Sequence, residues 1–360
     1  MKRMPYIIIG VIALGLIAYF IFKQKSKSVT QDYFISTQGQ SEERVKKLDL
    51  DNASENASYI LDIKRLSLSK IKKETEDVEY KPDAEKDWII NIKGLNPISF
   101  TTDQLFKIFD KDWRVNYGAA DVYGYSDKEK KWTYAIVGGD PDTYSKIQVA
   151  IDLVEIYEEE NSTYDTKKLE KYITELKKKL NAFPIKLEFD GTMEQAASRG
   201  KKLAELKNEF DIEAIILLKS EKAFNGNLAW DALQSVGLVW GDGDLFHWNN
   251  EEDYGHDQHF SVWTTTEPGY FMPEDIKDGS MNPKDLGFSF SVPRSADPKN
   301  VFAVMFDAVK YCQKRLGGTI LDKHGNPFNE VKEKKYLDDL IEQMKTKGLI
   351  AGSDKALRMF

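Results

Sequence analysis

Phe260-Ser-Val-Trp-Thr264 and Phe288-Ser-Phe-Ser-Val292 decide the fold of this chain of 360 residues. Apolar and polar residues alternate with period two in both stretches, which is typical of strands with one buried face. Phe260 and Val262 point to one side of their strand, and Trp263 points to the other. A helical stripe of apolar residues follows the second stretch, so we expect an antiparallel sheet with helices on one face.

The surrounding region completes a module that we place at residues 211–348. It begins with the apolar run Ala214-Ile-Ile-Leu-Leu218 and closes with the short run Thr319-Ile-Leu321. The order of elements is strand, helix, three strands, helix, strand. The pattern predicts an α+β fold whose second sheet face stays open and displays Trp263.

Residues 86–210 show nearly the same order and predict a first α+β module. Trp88–Ile92 and Trp113–Tyr117 have the character of strands, and Asp165–Leu180 carries an apolar stripe typical of a helix. A diverged tandem duplication explains the repeated order. The alternative is that small α+β sheets share an element order by chance.

The N-terminal residues differ from both modules. Tyr6–Phe22 is continuously apolar, which predicts a transmembrane anchor over residues 1–23. An anchor is favoured over a cleaved signal peptide because lysines follow at once, without a cleavage site. Residues 24–85 are rich in charge and predict a linker. Residues 349–360 predict a mobile tail.

Composition limits the classes of partner and of chemistry. The chain has 51 basic and 59 acidic side chains and a net charge of −8, and it has no basic patch with interleaved aromatic residues, so we expect no nucleic-acid binding. It has none of the common nucleotide-binding, hydrolase or zinc-protease motifs. We therefore expect no enzyme activity, no catalytic residues, no cofactor and no metal. An enzyme with a loop metal site at His256 and His259 is the competing hypothesis.

The second module contains a set of short motifs with a characteristic spacing: Asn225-Gly226, Gly237-Leu-Val-Trp-Gly-Asp242, Leu245-Phe-His247, Phe260-Ser261, Pro268-Gly269, Phe271, Pro273-Glu274, Val292-Pro293, Gly317-Gly318 and Leu321-Asp322. In the type and spacing of these residues the module resembles the C-terminal domain of a known family, the ZipA cell-division proteins. The resemblance covers a little over a third of the chain.

The resemblance implies a bacterial inner-membrane protein with a single membrane pass and cytoplasmic C-terminal domains. Its partner would be the C-terminal tail of FtsZ, the tubulin-like GTPase of the division ring, bound in the shallow groove of the open sheet face. The positions that match the groove of the family are Ile215, Leu217, Gly243, Leu245, Trp263, Thr265 and Ser289.

Two departures separate this chain from the family. The family has larger apolar side chains at the positions of Gly243, Thr265 and Ser289, and it has a small residue at the position of Trp263. It also has one globular domain where this chain has two predicted modules. The alternative function is therefore an envelope scaffold, in which the sheet face binds a different protein or the first module.

Overall fold

The computed structural model describes most of the chain. The described residues are 41–50, 53–68, 80–95, 99–118, 120–136, 141–157, 165–252 and 254–360. They divide into two compact units. The first module comprises the described residues of 80–211 together with 355–360, and the second module comprises those of 41–68 and 212–354.

The first module is an α+β unit. Its helices and strands are β1 (Asp87–Gly94), β2 (Phe100–Thr101), α1 (Thr102–Ile108), α2 (Lys111–Tyr117), β3 (Asp121–Ser126), β4 (Lys131–Tyr134), β5 (Thr143–Tyr144), β6 (Lys146–Asp152), α3 (Leu153–Tyr157), α4 (Lys167–Leu180), β7 (Ile185–Phe189) and α5 (Met193–Phe210). Five strands form one antiparallel sheet in the order β4-β3-β6-β1-β7.

Side chains of the first-module strands point alternately to the two faces of the sheet, and those on one face form the core. Ile90, Val149 and Val122 occupy paired positions on three neighbouring strands, and none of them is exposed to solvent. Asn91 and Gln148 lie on the other face, where the Gln148 amide donates a 2.9 Å hydrogen bond to Asn91. One face of this sheet is therefore apolar and the other is polar.

The second module is also α+β. Its elements are β8 (Glu213–Lys219), α6 (Gly226–Ser235), β9 (Val239–Trp240), β10 (Phe246–Asn249), β11 (Gln258–Trp263), α7 (Pro273–Asp278), β12 (Asp285–Ser291), α8 (Pro298–Leu316), β13 (Thr319–Asp322) and α9 (Glu330–Thr346). The six strands form an antiparallel sheet in the order β13-β8-β12-β11-β10-β9. Helix α10 (Asp354–Met359) follows, and its residues from Lys355 onwards belong to the first module.

Helices α6 and α8 cover one face of the second-module sheet. Trp230 of α6 packs edge-on against Phe246, with 4.7 Å between ring centroids. Phe288 and Val262, which pair across β12 and β11, are fully buried on the same face. Both deciding stretches form strands, with Val262 and Phe288 on the helix-covered face and Trp263 and Ser289 together on the other. The predicted α+β class with antiparallel sheets is confirmed.

Residues 53–68, here called the strap, cross the helices of the second module. The Ser54 hydroxyl donates a 2.6 Å hydrogen bond to Asp231 of α6. Asp231 also pairs with Arg315 of α8, at 2.5 Å. One carboxylate therefore joins the strap to both helices.

Further contacts continue along the strap and the residues before it. The backbone N–H of Ala57 donates a 2.6 Å hydrogen bond to the carbonyl of Ser235, and Leu61 is buried. Residues 41–48 are helical, and Arg44 in this helix donates a 2.6 Å hydrogen bond to Glu274. The described residues between 41 and 68 are thus part of the second module.

Two predicted boundaries differ from the structure. The strap and residues 41–50 pack on the second module, whereas the pattern predicted a linker over 24–85. Within it, the apolar character of Tyr59–Leu68 is compatible with a short helix or strand, and the structure forms short 3₁₀ helices there at Ser58–Leu61 and Ile63–Arg65. The residues on which the strap packs lie far along the chain, so the local sequence does not show the packing. The predicted tail contains α10, in which Ala356 and Met359 are buried.

One predicted strand is a helix. Residues 113–117 form the last part of α2. Asp110 caps this helix by accepting a hydrogen bond from the backbone N–H of Trp113, which satisfies a donor that the first turn leaves unpaired. The cap outweighs the strand-like residue types of the segment.

The predicted anchor Tyr6–Phe22 lies outside the described residues. Within the part of the chain that the structure describes, no helix combines the length and the apolar character needed to cross a membrane.

Candidate functional site

The face of the second-module sheet that α6 and α8 leave uncovered carries a row of apolar residues. Leu321, Leu217, Gly287 and Trp263 are paired neighbours on β13, β8, β12 and β11. Continuing the β10–β11 register by one residue places Leu245 opposite Trp263. The side chains in this row are partly exposed, so the face is a shallow apolar surface.

Trp263 lies flat across the centre of this row. A side chain built on Gly287 would place its first carbon 2.5 Å from the Trp263 ring, so only glycine allows this approach. The indole N–H donates a 3.0 Å hydrogen bond to the hydroxyl of Ser289, two residues further along β12. The ring is thus held by a steric contact and a hydrogen bond, and it forms a fixed aromatic platform over β11 and β12.

A second row beside the platform is more polar. Ile215, Ser289, Ser261 and His247 are paired neighbours across β8, β12, β11 and β10. The His247 ring is bonded on both nitrogens, to the Ser261 hydroxyl at 2.8 Å and to the Asp242 carbonyl at 2.7 Å. Burial lowers the pKa of His247, so it stays neutral near pH 7.

Gly243 lies apart from both rows. It belongs to a 3₁₀ turn, Asp242–Asp244, between β9 and β10, where its φ is 63° and it is exposed. No atom lies within 4 Å of the position that a side chain would occupy there. The neighbouring Asp244 is 3.4 Å from Arg44. This corner of the site therefore contributes charge and backbone rather than apolar surface.

Thr265 is also removed from the apolar row. It follows the end of β11, and its backbone N–H donates a 2.7 Å hydrogen bond to Asp285. Its hydroxyl donates to the other carboxylate oxygen of Asp285, and Thr264 donates to the same group at 3.2 Å. Thr265 thus serves a buried polar cluster at the start of β12.

The two rows contain five of the seven residues predicted for the site: Ile215, Leu217, Leu245, Trp263 and Ser289. Sequence reasoning missed Leu321 and Gly287. Leu321 is the residue of its run that alternates onto this face. Gly287 has a weaker signal, because a glycine beside an aromatic residue on a paired strand is recognisable only once the register is known.

The competing hypothesis of a loop metal site centred on His256 and His259. His259 is 2% exposed, and its ring centroid lies 4.5 Å from that of Trp248. Burial lowers the pKa of His259 to about 4. His256 accepts a 3.1 Å hydrogen bond from the backbone of Gln258. Over the residues that the structure describes, no group of three His, Cys, Asp or Glu side chains could hold a metal ion.

Comparison with known proteins confirms the resemblance of the second module. Residues 212–339 match the family described as ZipA, C-terminal FtsZ-binding domain. Similar proteins named "Cell division protein ZipA" include that of Vibrio cholerae serotype O1, 31% identical over 103 residues, or 29% of this chain and 35% of the relative. That of Marinobacter nauticus is 28% identical over 108 residues, covering 30% and 31% of the two chains. That of Colwellia psychrerythraea is 25% identical over 162 residues, covering 44% and 41%. The matches thus span less than half of each of these relatives.

Proposed function

We propose that this chain is a membrane-anchored cell-division protein that tethers the FtsZ ring to the inner membrane. The second module would hold the C-terminal tail of FtsZ on its uncovered sheet face. One observation carries the proposal: Trp263 is fixed flat over Gly287 at the centre of an apolar row, in a domain that matches the ZipA C-terminal family.

The geometry suits an amphipathic peptide. A helix that lays apolar side chains on a shallow surface gains most from a central aromatic anchor. Trp263 offers such an anchor, and Leu217 is its neighbour across Gly287. Because the indole is already held by Ser289, little side-chain entropy would be lost on binding.

The tail would lie towards β8 and β13 rather than over the corner at Gly243. Gly243 and Thr265 offer no apolar side chain, and Thr265 is bonded to a buried carboxylate. Trp263, Leu217 and Leu321 supply a continuous apolar track in the other direction. The footprint of the peptide is therefore displaced from the one that the family resemblance implies.

Binding through one small groove would be weak, and the predicted anchor would compensate. Many chains held on one membrane surface meet a filament that displays many tails, so avidity raises the effective affinity by about 10²-fold or more. Tyr6–Phe22 would provide the membrane attachment, with both modules in the cytoplasm.

The test is a fluorescence-anisotropy titration of the full chain, in mild detergent, against a labelled peptide of the FtsZ C-terminus from the same organism. We expect saturable binding with a Kd on the order of micromolar, weakened about tenfold or more by Trp263→Ala. Tyr336→Ala is the matched control, because Tyr336 lies on α9 and is 47% exposed. It should leave the affinity unchanged.

Two results would contradict the proposal. Equal affinity of Trp263→Ala and the parent would remove the sheet face as the site. Absence of binding at high micromolar protein would remove FtsZ as the partner and favour the envelope scaffold. Thermal unfolding of both variants separates a lost contact from a lost fold.

A further inference from the structure

The outer edge of the first-module sheet carries a groove in which apolar side chains of the edge strand are exposed. Strand β7 is the last strand on its side of the sheet. A groove of about 390 Å³ beside it is lined by Leu180, Phe183, Ile185, Leu187 and Phe189, together with the polar residues Lys177 and Asn181. Phe189 is 36% exposed. Apolar edge strands of this kind are templates for pairing with another strand.

Hydrogen bonds show which backbone groups of β7 point outwards. Asp190 donates its N–H to the Ile89 carbonyl at 2.9 Å, and Leu95 donates to the Pro184 carbonyl at 2.8 Å. Even-numbered residues therefore direct their backbone groups towards β1. The groups of the odd-numbered residues, Leu187 among them, face the opposite way, where the described residues supply no further strand.

The corresponding edge of the second module is closed by its own chain. β13 occupies the same place beside β8 as β7 does beside β1. Phe328 donates its N–H to the Ile320 carbonyl at 3.1 Å, and Asp322 donates to the Asn326 carbonyl at 2.9 Å. These outward groups of β13 are thus satisfied.

The sequence of β7 is self-complementary. Its five residues are Ile185-Lys-Leu-Glu-Phe189. In an antiparallel pairing centred on Leu187, Lys186 lies opposite Glu188 of the second copy, and Ile185 lies opposite Phe189 of the second copy. Opposite charges and apolar residues thus meet their complements in both directions, as a two-fold interface requires.

We propose that two copies of this chain associate by antiparallel pairing of their β7 strands. The outward N–H of Leu187 then meets the Leu187 carbonyl of the second copy, and the N–H of Phe189 meets the carbonyl of Ile185. The N–H of Ile185 is already bonded to the Phe183 carbonyl at 2.9 Å, so Ile185 takes part through its carbonyl alone. The interface is small, so association is weak in solution and is strengthened when both copies share a membrane.

A charge-exchange experiment tests this pairing. Lys186→Glu places two glutamates opposite each other across the interface, and Glu188→Lys places two lysines there. Each variant alone should dimerise about tenfold less tightly than the parent in sedimentation velocity of the full chain. An equimolar mixture of the two restores the opposite-charge pairs, so it should form heterodimers about as tightly as the parent forms homodimers.

The matched control exchanges charges at Lys334 and Glu330, an exposed ion pair on α9. Lys334→Glu, Glu330→Lys and their mixture should all dimerise like the parent. Circular dichroism and the affinity for the FtsZ peptide should be unchanged in every variant. Within one chain Glu188 also lies 2.5 Å from Lys93 of β1 and 3.4 Å from Lys186 of its own strand. Thermal unfolding of both single variants therefore separates a lost fold from a lost interface.

Dimerisation of the parent, of each single variant and of the mixture of Lys186→Glu and Glu188→Lys together test the proposal. A monomeric parent at tens of micromolar would overturn the proposal and leave the edge to an extended peptide of another protein. If both single variants dimerise as tightly as the parent, the dimer interface lies in another part of the chain and the proposal is wrong. Single variants that weaken association without rescue in the mixture would exclude the antiparallel register.

Discussion

The two modules share a sheet core and differ in where they expose apolar surface. β7-β1-β6-β3 and β13-β8-β12-β11 are four antiparallel strands in the same order along the chain and in space. In the first module β4 extends this core and follows β3 in the chain, whereas in the second β9 and β10 extend it and precede β11. The shared core is what a tandem duplication predicts, and the duplication stays a hypothesis.

Corresponding positions at the centre of the two sheets carry different chemistry. The first module has Asn91 and Gln148 on neighbouring strands. The second module has Leu217 and Gly287 there, beside Trp263. One module thus has a polar face and an apolar edge, and the other has an apolar face and a closed edge. The same core can therefore present exposed apolar residues either on the face of the sheet, as in the second module, or at its edge, as in the first.

The largest expected change in stability concerns the contacts between the strap and the helices of the second module. Asp231→Ala removes the partner of Ser54 and leaves the mostly buried Arg315 without a carboxylate. We expect the free energy of unfolding of the second module to fall by about 4 kcal/mol. Hydrogen exchange in urea reports the two modules separately and should show no change in the first. Glu330→Ala, at an exposed ion pair, should change neither module by more than about 0.5 kcal/mol.

The stability of the first module should depend on pH through Asp87, which lies on the polar face of its sheet. Burial raises the pKa of Asp87 to about 7, helped by Asp152 and Asp121 and opposed by the hydrogen bond from the Asp83 backbone. The folded state therefore keeps a proton that the unfolded state releases near pH ~4. Stability of the first module should fall as the pH rises from about 4 to 7 and then level off.

Asp87→Asn should remove this dependence and stabilise the first module by about 3 kcal/mol at pH ~8, with little change at pH ~4. Urea unfolding across this pH range measures it. An unchanged pH profile in the variant would show that Asp87 does not control the transition.

Because the Trp263 ring contacts Gly287, substitutions at these two positions should have non-additive effects on the free energy of unfolding. Gly287→Ala forces a methyl group into the Trp263 ring and should lower stability by about 2 kcal/mol. In the Trp263→Ala background the same change should cost almost nothing, because the ring is absent. A double-mutant cycle from unfolding curves gives the coupling free energy. Additive effects would show that the two residues do not touch.

The smallest expected effect concerns the hydrogen bond that orients the indole. Ser289→Ala removes the acceptor of the Trp263 N–H and should lower stability by about 1 kcal/mol. Affinity for the FtsZ peptide should fall about threefold, because the loosened ring loses entropy on binding. Anisotropy titration measures this effect. Ser289→Thr keeps the hydroxyl and should restore most of the affinity.

Strand alternation was a good guide to the faces of the sheet because side-chain direction has period two. It placed Phe260 in the core and Trp263 on the other face. The same reasoning was wrong for Trp113–Tyr117, where aromatic and β-branched residues resemble a strand. There the Asp110 cap and an aromatic contact between the first and last residues of the segment, at helical spacing, stabilise a helix instead.

The strap was beyond local pattern reasoning. Its anchoring residues are few and scattered, and their partners lie far along the chain, as Ser54 and Asp231 show. Its apolar residues lie within a longer charged segment, so the whole segment resembles a linker until the groups that the strap contacts are known. The outward position of Leu187 was hidden for the same reason, because it follows from the pairing of β7 with β1.

The strap also gives the second module a direction for mechanical load. The strap follows residues 41–50 in the chain and crosses α6 and α8, on the opposite side of the sheet from Trp263. If the ring pulls on the sheet face while the membrane holds the N-terminus, tension passes through the thickness of the module. Under this load the contact between Arg44 and Glu274 would break first, and the contact between Ser54 and Asp231 would break next. These contacts would then set the force at which the tether yields.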